Sequence, residues 1–434
     1  MKIELNQNNY KYLSDNSVEC GVDTAFFCCE QNKNYLENAK TNHAAAIVTP
    51  EELENLLDLE NIMIVGITGT NGKTTTAAAI YSMLLDLDEK VAFQGTRGLY
   101  INEDKIRAKG LTTPLLLETM TNLYLAKEAG CKYFIMEVSS HAIVQNRIEN
   151  IKFGLKVYTN LTQDHLDYHK TFDEYKRVKE SFFKDNCMKL INKDAKKIEF
   201  NPKKAYTYAL DAPASFNIIA YSLNNGMTAI MRHFEKQVDF QSPLYGFFNV
   251  YNLTAAIASV KLITEHSLED ICATVDNFAG VSGRMEVVSE RPLVIVDFAH
   301  TPDGMEKVMD SLKEKDIVVV FGAGGDRDKT KRPMMGRVAN RYAKKIYLTT
   351  DNPRSEESMD IINDIYHAID QKEKVKVSSL REDAIYFAID ELEEGETLLI
   401  LGKGDEEYQE FKDKKIAFDD REVVREIIKE KFNR

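Results

Sequence analysis

The chain has 434 residues, enough for roughly two to four domains, and its 44% hydrophobic content against 29% charged residues supports several cores and excludes long disorder. Asp and Glu (69) outnumber Lys and Arg (56), giving a formal net charge of −13, so no overall field attracts a phosphate backbone and nucleic acid is excluded as a main partner. The six cysteines form no C-x-x-C pair, and neither a signal-peptide stretch nor a membrane-spanning apolar run occurs, so a reduced cytoplasmic protein without membrane association is expected.

Residues 1–58 read as a small α/β unit with apolar runs from Ala25 to Cys28 and from Ala44 to Val48. From Ile62 the pattern alternates: a strand from Ile62 to Thr68, a helix from Thr74 to Leu87, strands from Tyr133 to Val138 and Lys156 to Asn160, and a helical run from Phe172 to Lys184. That rhythm predicts a parallel sheet covered on both faces. Between Ala205 and Asp239, the runs Phe216 to Ser222 and Met227 to His233 flank the turn signal Asn224-Asn225-Gly226 and predict an antiparallel annex. Helices are predicted from Asn252 to Thr264 and Leu268 to Phe278, after which Ala279 to Arg284 breaks the periodicity. Strands from Leu293 to Asp297, Ile317 to Phe321, Lys345 to Thr349, Val375 to Val377 and Thr397 to Leu401, then a helix from Arg421 to Phe432, predict a second, Rossmann-like doubly wound sheet. The expected fold is α/β in three domains: a small N-terminal α/β domain (1–58), a central P-loop-containing parallel sheet with its annex (59–283), and a C-terminal Rossmann-like domain (284–434).

The strongest motif is Gly66-Ile67-Thr68-Gly69-Thr70-Asn71-Gly72-Lys73-Thr74-Thr75-Thr76, between a predicted strand and helix. Glycines let the backbone close around phosphate oxygens, Lys73 adds a point charge, and the Thr74 hydroxyl suits Mg²⁺, so the loop reads as an ATP site. It departs from G-x-x-x-x-G-K-[ST] in carrying Ile67 where that pattern has Gly, and a ligand-free glycine-rich turn is the alternative. Further along stand Glu137-Val138-Ser139-Ser140-His141-Ala142, the run from Asn160 to His169, Gly283-Arg284-Met285-Glu286, and Asp297-Phe298-Ala299-His300-Thr301-Pro302. In this order, from Ile62 to the carboxyl end, these motifs resemble the Mur ligase family, ATP-dependent amide-forming enzymes of peptidoglycan assembly. Asp351-Asn352-Pro353-Arg354 is similar to the signature of members that add meso-diaminopimelate to UDP-N-acetylmuramoyl-L-alanyl-D-glutamate.

The resemblance implies a reaction in which ATP phosphorylates a carboxylate and an amine attacks the acyl phosphate, with Mg²⁺ and cationic side chains screening the meeting of two anions. It implies catalytic roles for Lys73, Lys179, His165 and Arg284, and ATP contacts from Gly69, Thr70, Asn71, Gly72, Lys73, Thr74, Thr75, Asn249 and Asp297. It also implies a metal site of Thr74, Glu137, His165 and Lys179, the lysine carrying a CO₂-derived carbamate. Taken alone, Glu137 is a solvated strand end, His165 a structural or exposed histidine, Lys179 a surface lysine and Asn249 a helix cap. Thr112, Thr113, Ser139, Gln145 and Arg147 resemble contacts to the UDP-sugar peptide, with turn capping as the alternative for the hydroxyls. The N-terminal domain is expected to bind the uridine end, but Ser14-Asp15-Asn16-Ser17 matches only loosely and that subsite stays unassigned. Arg327, Asp351, Asn352, Pro353, Arg354, Gly402 and Glu406 resemble amino-acid contacts, Arg354 gripping the distal carboxylate and Glu406 the distal ammonium. Asp405 stands where the family often has His, which leaves the amine's surroundings open. A monomer is expected. A folylpolyglutamate synthase-like ligase and a non-catalytic nucleotide-binding scaffold are the alternative readings.

Overall fold

Alternation along the strands decides which side chains meet. In the computed structural model, which describes residues 1–432 apart from Asn8, Glu60 and Asn225, strand Met63–Thr68 points Val65 and Ile67 to one face. There they pack with Ala77, Ile80 and Leu84 of helix Lys73–Asp86 and with Leu253 and Ile257 of helix Phe247–Ile263. Ile64 points the other way, towards Phe134 and Met136 of strand Tyr133–Glu137 and Met120 and Leu123 of helix Leu116–Glu128. A sheet buried on both faces in this way carries near-continuous apolar strands, and burying each such side chain contributes about 1.5–3 kcal/mol.

The central sheet has 11 strands in the order Lys236–Ser242, Met227–His233, Phe216–Ser222, Ala205–Ala209, Met188–Asn192, Phe153–Tyr158, Met63–Thr68, Tyr133–Glu137, Val91–Gly95, Gly98–Ile101, Asp104–Arg107. The predicted annex is its antiparallel edge rather than a separate layer. Ala205–Ala209 pairs in parallel with Met188–Asn192, Phe216–Ser222 pairs in parallel with Ala205–Ala209, and only then do two antiparallel pairings follow. The turn between Phe216–Ser222 and Met227–His233 was expected at Asn224-Asn225-Gly226, of which Asn225 lies outside the described residues. The helix predicted from residue 252 begins five residues earlier at Phe247, after Gly246 at φ 95°. The one predicted from residue 268 ends as α-helix at Ala273 and tightens into a 3₁₀ turn, Val275–Asn277.

The first residues form a four-stranded sheet, Lys2–Gln7, Tyr10–Ser14, Thr24–Phe27 and Ile47–Val48, of which the first two strands were not predicted. Helix Pro50–Leu57 follows, opened by a Thr49/Glu52 capping box. Leu13, Ala25, Phe27 and Val48 join the core on the outer face of the central sheet, so this unit shares that core. Beyond the break, a six-stranded sheet runs Glu286–Glu290, Leu293–Asp297, Glu396–Leu401, Asp316–Phe321, Ala343–Leu348, Val375–Val377, with only the first pair antiparallel. Ile295, Val319 and Leu399 fill one side and Val294, Val296, Val318 and Ile400 the other. The fully buried Arg381–Asp420 pair (2.7 Å) fixes the end of this sheet, because Arg381 Nη2 also donates to Leu401 O at 3.0 Å. A hairpin of Tyr408–Phe411 and Lys414–Ala417, unpredicted, folds over the strand ends. No helix among the described residues is long and apolar enough to cross a membrane.

Candidate active site

The phosphate loop lies where three central strands end. A Cβ on Gly69 would sit 1.9 Å from Thr159 Oγ1, so only glycine lets the loop lie against the neighbouring strand. Gly72 opens the following helix at φ 84°, in the left-handed region that favours glycine. Thr70 N donates to Asn160 O and Asn71 N to Asn160 Oδ1, both at 2.9 Å, which pins the loop. The first-turn amides at Lys73, Thr74 and Thr75 have no intrahelical acceptors and face the position a phosphate takes at a helix start. Lys73 Nζ lies in the curve of the loop, donating to Gly69 O and Thr70 O at 2.9 Å. Burial holds its pKa below the usual lysine value against the raising pull of Glu137 and Asp164.

Glu137, fully buried at its strand end, accepts from the Thr74 hydroxyl at 2.8 Å and from Thr96 N at 2.9 Å. Lys179 is not a surface residue. Its helix, Phe172–Ser181, turns Tyr175 and Lys179 inward one turn apart, leaving Lys179 1% exposed. Its Nζ donates to Gly69 O at 3.0 Å and Thr68 Oγ1 at 3.3 Å. Burial, and then the charge of Lys73, push its pKa well below 10.5, which favours the free amine. His165, at φ 53°, has its pKa lowered to about 4 by burial despite Asp164, whose carboxylate lies 3.4 Å away, so it is neutral at neutral pH. Glu137 and Thr74 are hard oxygen donors in contact, a pair whose chemistry fits a divalent cation. Among the described residues no three His, Cys, Asp or Glu side chains converge on one point.

The loop faces a cavity of about 400 Å³ whose far wall belongs to the C-terminal unit: Thr75 and Asn249 meet Arg284, Asp297 and Lys307 across it. Asn249 is not the helix cap. Its amide donates to Tyr245 O (2.7 Å) and accepts from Asn252 Nδ2 (2.8 Å). Arg284 stacks over Phe298 at 4.4 Å, and Asp297 accepts from Met285 N and Ala299 N at 2.7 Å, so it braces the junction as well as lining the cavity. Sequence reasoning missed Asp303, next to the Asp297–Pro302 motif, whose carboxylate receives Thr162 Oγ1 at 2.9 Å and Asn71 Nδ2 at 3.1 Å, and Lys331, 3.3 Å from Asp164.

Beside Glu137 the second set of predicted residues forms one connected patch. Thr113 Oγ1 donates to Glu137 O (3.0 Å) and accepts from Ser139 N (3.0 Å), while Arg147 donates to Thr113 O (2.8 Å) and to Gln145 Oε1 (2.9 Å). Thr112 joins through Thr96 at 3.1 Å. Ser139 also caps the helix Ser140–Val144, so the capping reading of this residue is correct as far as its own hydroxyl goes.

The third set surrounds Arg354, which follows strand Ala343–Leu348 at φ 51°. Its Nε donates to Glu410 Oε2 (3.0 Å), its Nη1 to Gly325 O (2.8 Å) and its backbone N–H to Glu410 O (3.0 Å). A Cβ on Gly325 would fall 1.9 Å from Pro353 O, so that glycine lets the two loops touch. Asn352 Nδ2 and the buried Lys403 Nζ both donate to Glu406 Oε2, at 2.8 and 2.9 Å. Asp351 sits behind Gly402, whose N–H bonds Asp297 O at 3.1 Å. Arg327 is exposed in the neighbouring loop and donates to Asp326 O at 3.4 Å. Lys403 and Glu410 were not singled out, the first although it lies between the named Gly402 and Glu406. Behind them Arg332, 1% exposed, grips Glu356 through both terminal nitrogens at 3.0 and 2.8 Å and braces Arg354's loop. These hydrogen bonds from Arg332, then Lys329, hold Glu356 at about 2 rather than 4.5, so the native state is favoured above pH 4.5 and loses this contribution as pH falls towards 2. Glu356→Gln should therefore cost about 1–3 kcal/mol in urea unfolding at pH 7 and progressively less below pH 4.

Residues 67–260 match the Mur ligase middle domain and residues 283–404 the Mur ligase glutamate ligase domain. The chain belongs to the Mur ligase family. It is an ATP-dependent, amide-forming ligase of peptidoglycan precursor synthesis. Among its relatives, the UDP-N-acetylmuramoyl-L-alanyl-D-glutamate--2,6-diaminopimelate ligases of Wolinella succinogenes and Helicobacter pylori (strain J99) are each 49% identical, covering 98% and 96% of this chain and 98% and 95% of their own. A solved structure of a ligase of that name superposes with a TM-score of 0.70 at 29% identity, over 96% of this chain and 94% of its own. Mycobacterium tuberculosis folylpolyglutamate synthase, 16% identical over 81% of this chain and 91% of its own with a TM-score of 0.66, shares the fold alone.

Proposed function

We propose that this Mur ligase joins meso-diaminopimelate to the D-glutamate of UDP-N-acetylmuramoyl-L-alanyl-D-glutamate, consuming ATP through an acyl phosphate. The observation that carries the reading is the phosphate cradle, with Lys73 and the buried Lys179 against it, opening on a cavity whose far wall of Arg284, Asp297 and Lys307 belongs to the unit that also carries Arg354 and Glu406. On this reading the 1–58 region takes the uridine end, 59–283 the ATP and 284–434 the amino acid, in a monomeric cytoplasmic enzyme.

The Thr74 hydroxyl, Glu137, His165 and a carbamate on Lys179 would hold Mg²⁺, which when bound screens the charge between triphosphate and carboxylate. Lys73 and the amides of the loop bind the phosphates and hold the terminal one facing the patch of Thr112, Thr113, Ser139, Gln145 and Arg147, where the sugar peptide's carboxylate is oriented. The carboxylate oxygen takes the γ-phosphoryl group as the β–γ bridge breaks, giving the acyl phosphate and ADP. The free amine of the incoming amino acid then attacks the carbonyl carbon, the C–O bond to phosphate breaks, and the amine's extra proton passes to the departing phosphate or solvent. Arg284 and Lys307 come from the opposite unit, so the nucleotide side is complete only when the units are together and water is kept from the intermediate. Arg354 offers a guanidinium edge to the distal carboxylate, and Glu406 an anionic oxygen to the distal ammonium.

The test is phosphate release with the UDP-linked dipeptide and each amino acid in turn. Release with meso-diaminopimelate and little with lysine is expected; equal rates, or release only with a folate and glutamate, sink the reading. The carbamate is tested separately. Lys179→Ala should lower turnover by about 10²-fold or more, with the native protein gaining the mass of one CO₂ in bicarbonate buffer; full activity in the variant removes it.

A further inference from the structure

Asp405, the residue that departs from the family pattern, turns its carboxylate towards the central unit. Its Oδ2 receives Arg97 Nη1 at 2.9 Å and Lys109 Nζ at 2.7 Å, both from the central unit. Asp405 and Arg97 are 18% and 23% exposed, so salt screens this pair less than it screens a surface pair, whereas Lys109, 36% exposed, reaches the carboxylate from the surface. Among the described residues, the ion-pair and hydrogen-bond partners of this carboxylate belong to the central unit. The loop around it is already fixed within its own unit, by Gly402 N to Asp297 O and by Lys403 to Glu406 and Asn352, so it does not need Asp405 to fold. The connecting segment lies equally close: Arg97 also donates to Ser282 O at 3.0 Å, and a Cβ on Gly283 would stand 2.1 Å from Asp405 N.

The two ends of this contact lead to the two halves of the chemistry. Arg97 follows Thr96, whose N–H bonds Glu137 and whose hydroxyl meets Thr112; Lys109 precedes Thr112 and Thr113 by a few residues. Asp405 precedes Glu406, which Asn352 and Lys403 hold. Arg421, whose charge also interacts with Asp405, is ion-paired with Asp419 and lies 3.6 Å from Glu286. We infer that Asp405 is a positioning residue: through Arg97 and Lys109 it clamps the amino-acid loop onto the turn that holds Glu137 and Thr112, setting the amine's approach to the activated carboxyl. The inference rests on the function proposed above for the kinetic part of its test, and on geometry alone for the rest.

The experiment compares Asp405→Ala, Arg97→Ala and the double variant, with the isosteric Asp405→Asn guarding against a folding defect. Each single substitution should raise the KM for meso-diaminopimelate about tenfold and leave the KM for ATP within about twofold, and the double should fall well short of the product of the two, because the Arg97–Asp405 contact is lost in both even though Asp405→Ala also releases Lys109 and Arg97→Ala also releases Ser282 O. X-ray scattering of the substrate-free proteins should show a larger radius of gyration for each single variant than for the parent. Multiplicative kinetic effects, or an unchanged KM together with unchanged scattering, overturn the clamp. A parent that releases no phosphate with any amino acid defeats the proposed function instead, and the scattering comparison then decides the clamp by itself.

Discussion

Replacing Lys73 with alanine is expected to cut ATP-dependent phosphate release by about 10²–10³-fold, the effect of removing one preorganised donor to developing negative charge. Two consequences of the same geometry add up. The amine lies in the curve of the loop against Gly69 O and Thr70 O, where a phosphate oxygen becomes its third acceptor, so its loss removes charge stabilisation at the transferred group. Its charge is also the second cause, after burial, of Lys179's lowered pKa. Without it Lys179 becomes more basic, the free amine scarcer and carbamate harder to form. Thermal stability should not fall with activity, because Lys73 is held by burial in a state that disfavours its charge. Calorimetry beside a phosphate-release assay separates these: a variant keeping more than a tenth of parental turnover, or one that has simply unfolded, contradicts the assignment.

What could be read from residues alone follows the range of the interactions involved. The strand and helix around the phosphate loop were legible because glycine spacing, a Lys-Thr pair and buried apolar runs are local signals, and the structure places the strand at Met63–Thr68 and the helix at Lys73–Asp86. The burial of Lys179 was not legible. Helix Phe172–Ser181 is rich in charge, and only the packing of Tyr175 and Lys179 against the loop, more than 100 residues earlier in the chain, turns that face inward. The annex was half legible: the hairpin signal was local, but the parallel pairing of Ala205–Ala209 with Met188–Asn192 is set by register across the sheet. Strands Lys2–Gln7 and Tyr10–Ser14 escaped because their inward residues are mixed with polar ones, and the hairpin Tyr408–Phe411 with Lys414–Ala417 because it buries the polar Gln409 while Ile416 and Ala417 are exposed, the reverse of the usual alternation. Of the candidate site, most residues inside motifs were named, Lys403 between Gly402 and Glu406 being passed over, whereas Asp303, Glu410 and Arg97 act through partners remote in sequence.

Arg354→Ala should raise the KM for meso-diaminopimelate by roughly 10- to 100-fold, the range of a charge-assisted pair worth about 1.5–3 kcal/mol, while the KM for ATP stays close to the parent's. The guanidinium is preorganised: Glu410 takes Nε and Gly325 O takes Nη1, which leaves the edge bearing Nη2 for a carboxylate. Arg354→Lys should lose nearly as much, because an ammonium cannot hold two oxygens in one plane or keep Glu410 on its flank. Glu410 supplies an internal check. Once Arg354 is gone its carboxylate faces the incoming dicarboxylate without a counter-charge, so part of the penalty is repulsion rather than lost attraction. Glu410→Gln added to Arg354→Ala should therefore recover some affinity for meso-diaminopimelate, whereas Glu410→Gln alone should weaken it by loosening the guanidinium. An unchanged KM in Arg354→Ala would place the distal carboxylate elsewhere; a double variant no better than Arg354→Ala would mean Glu410 is too well solvated to repel it.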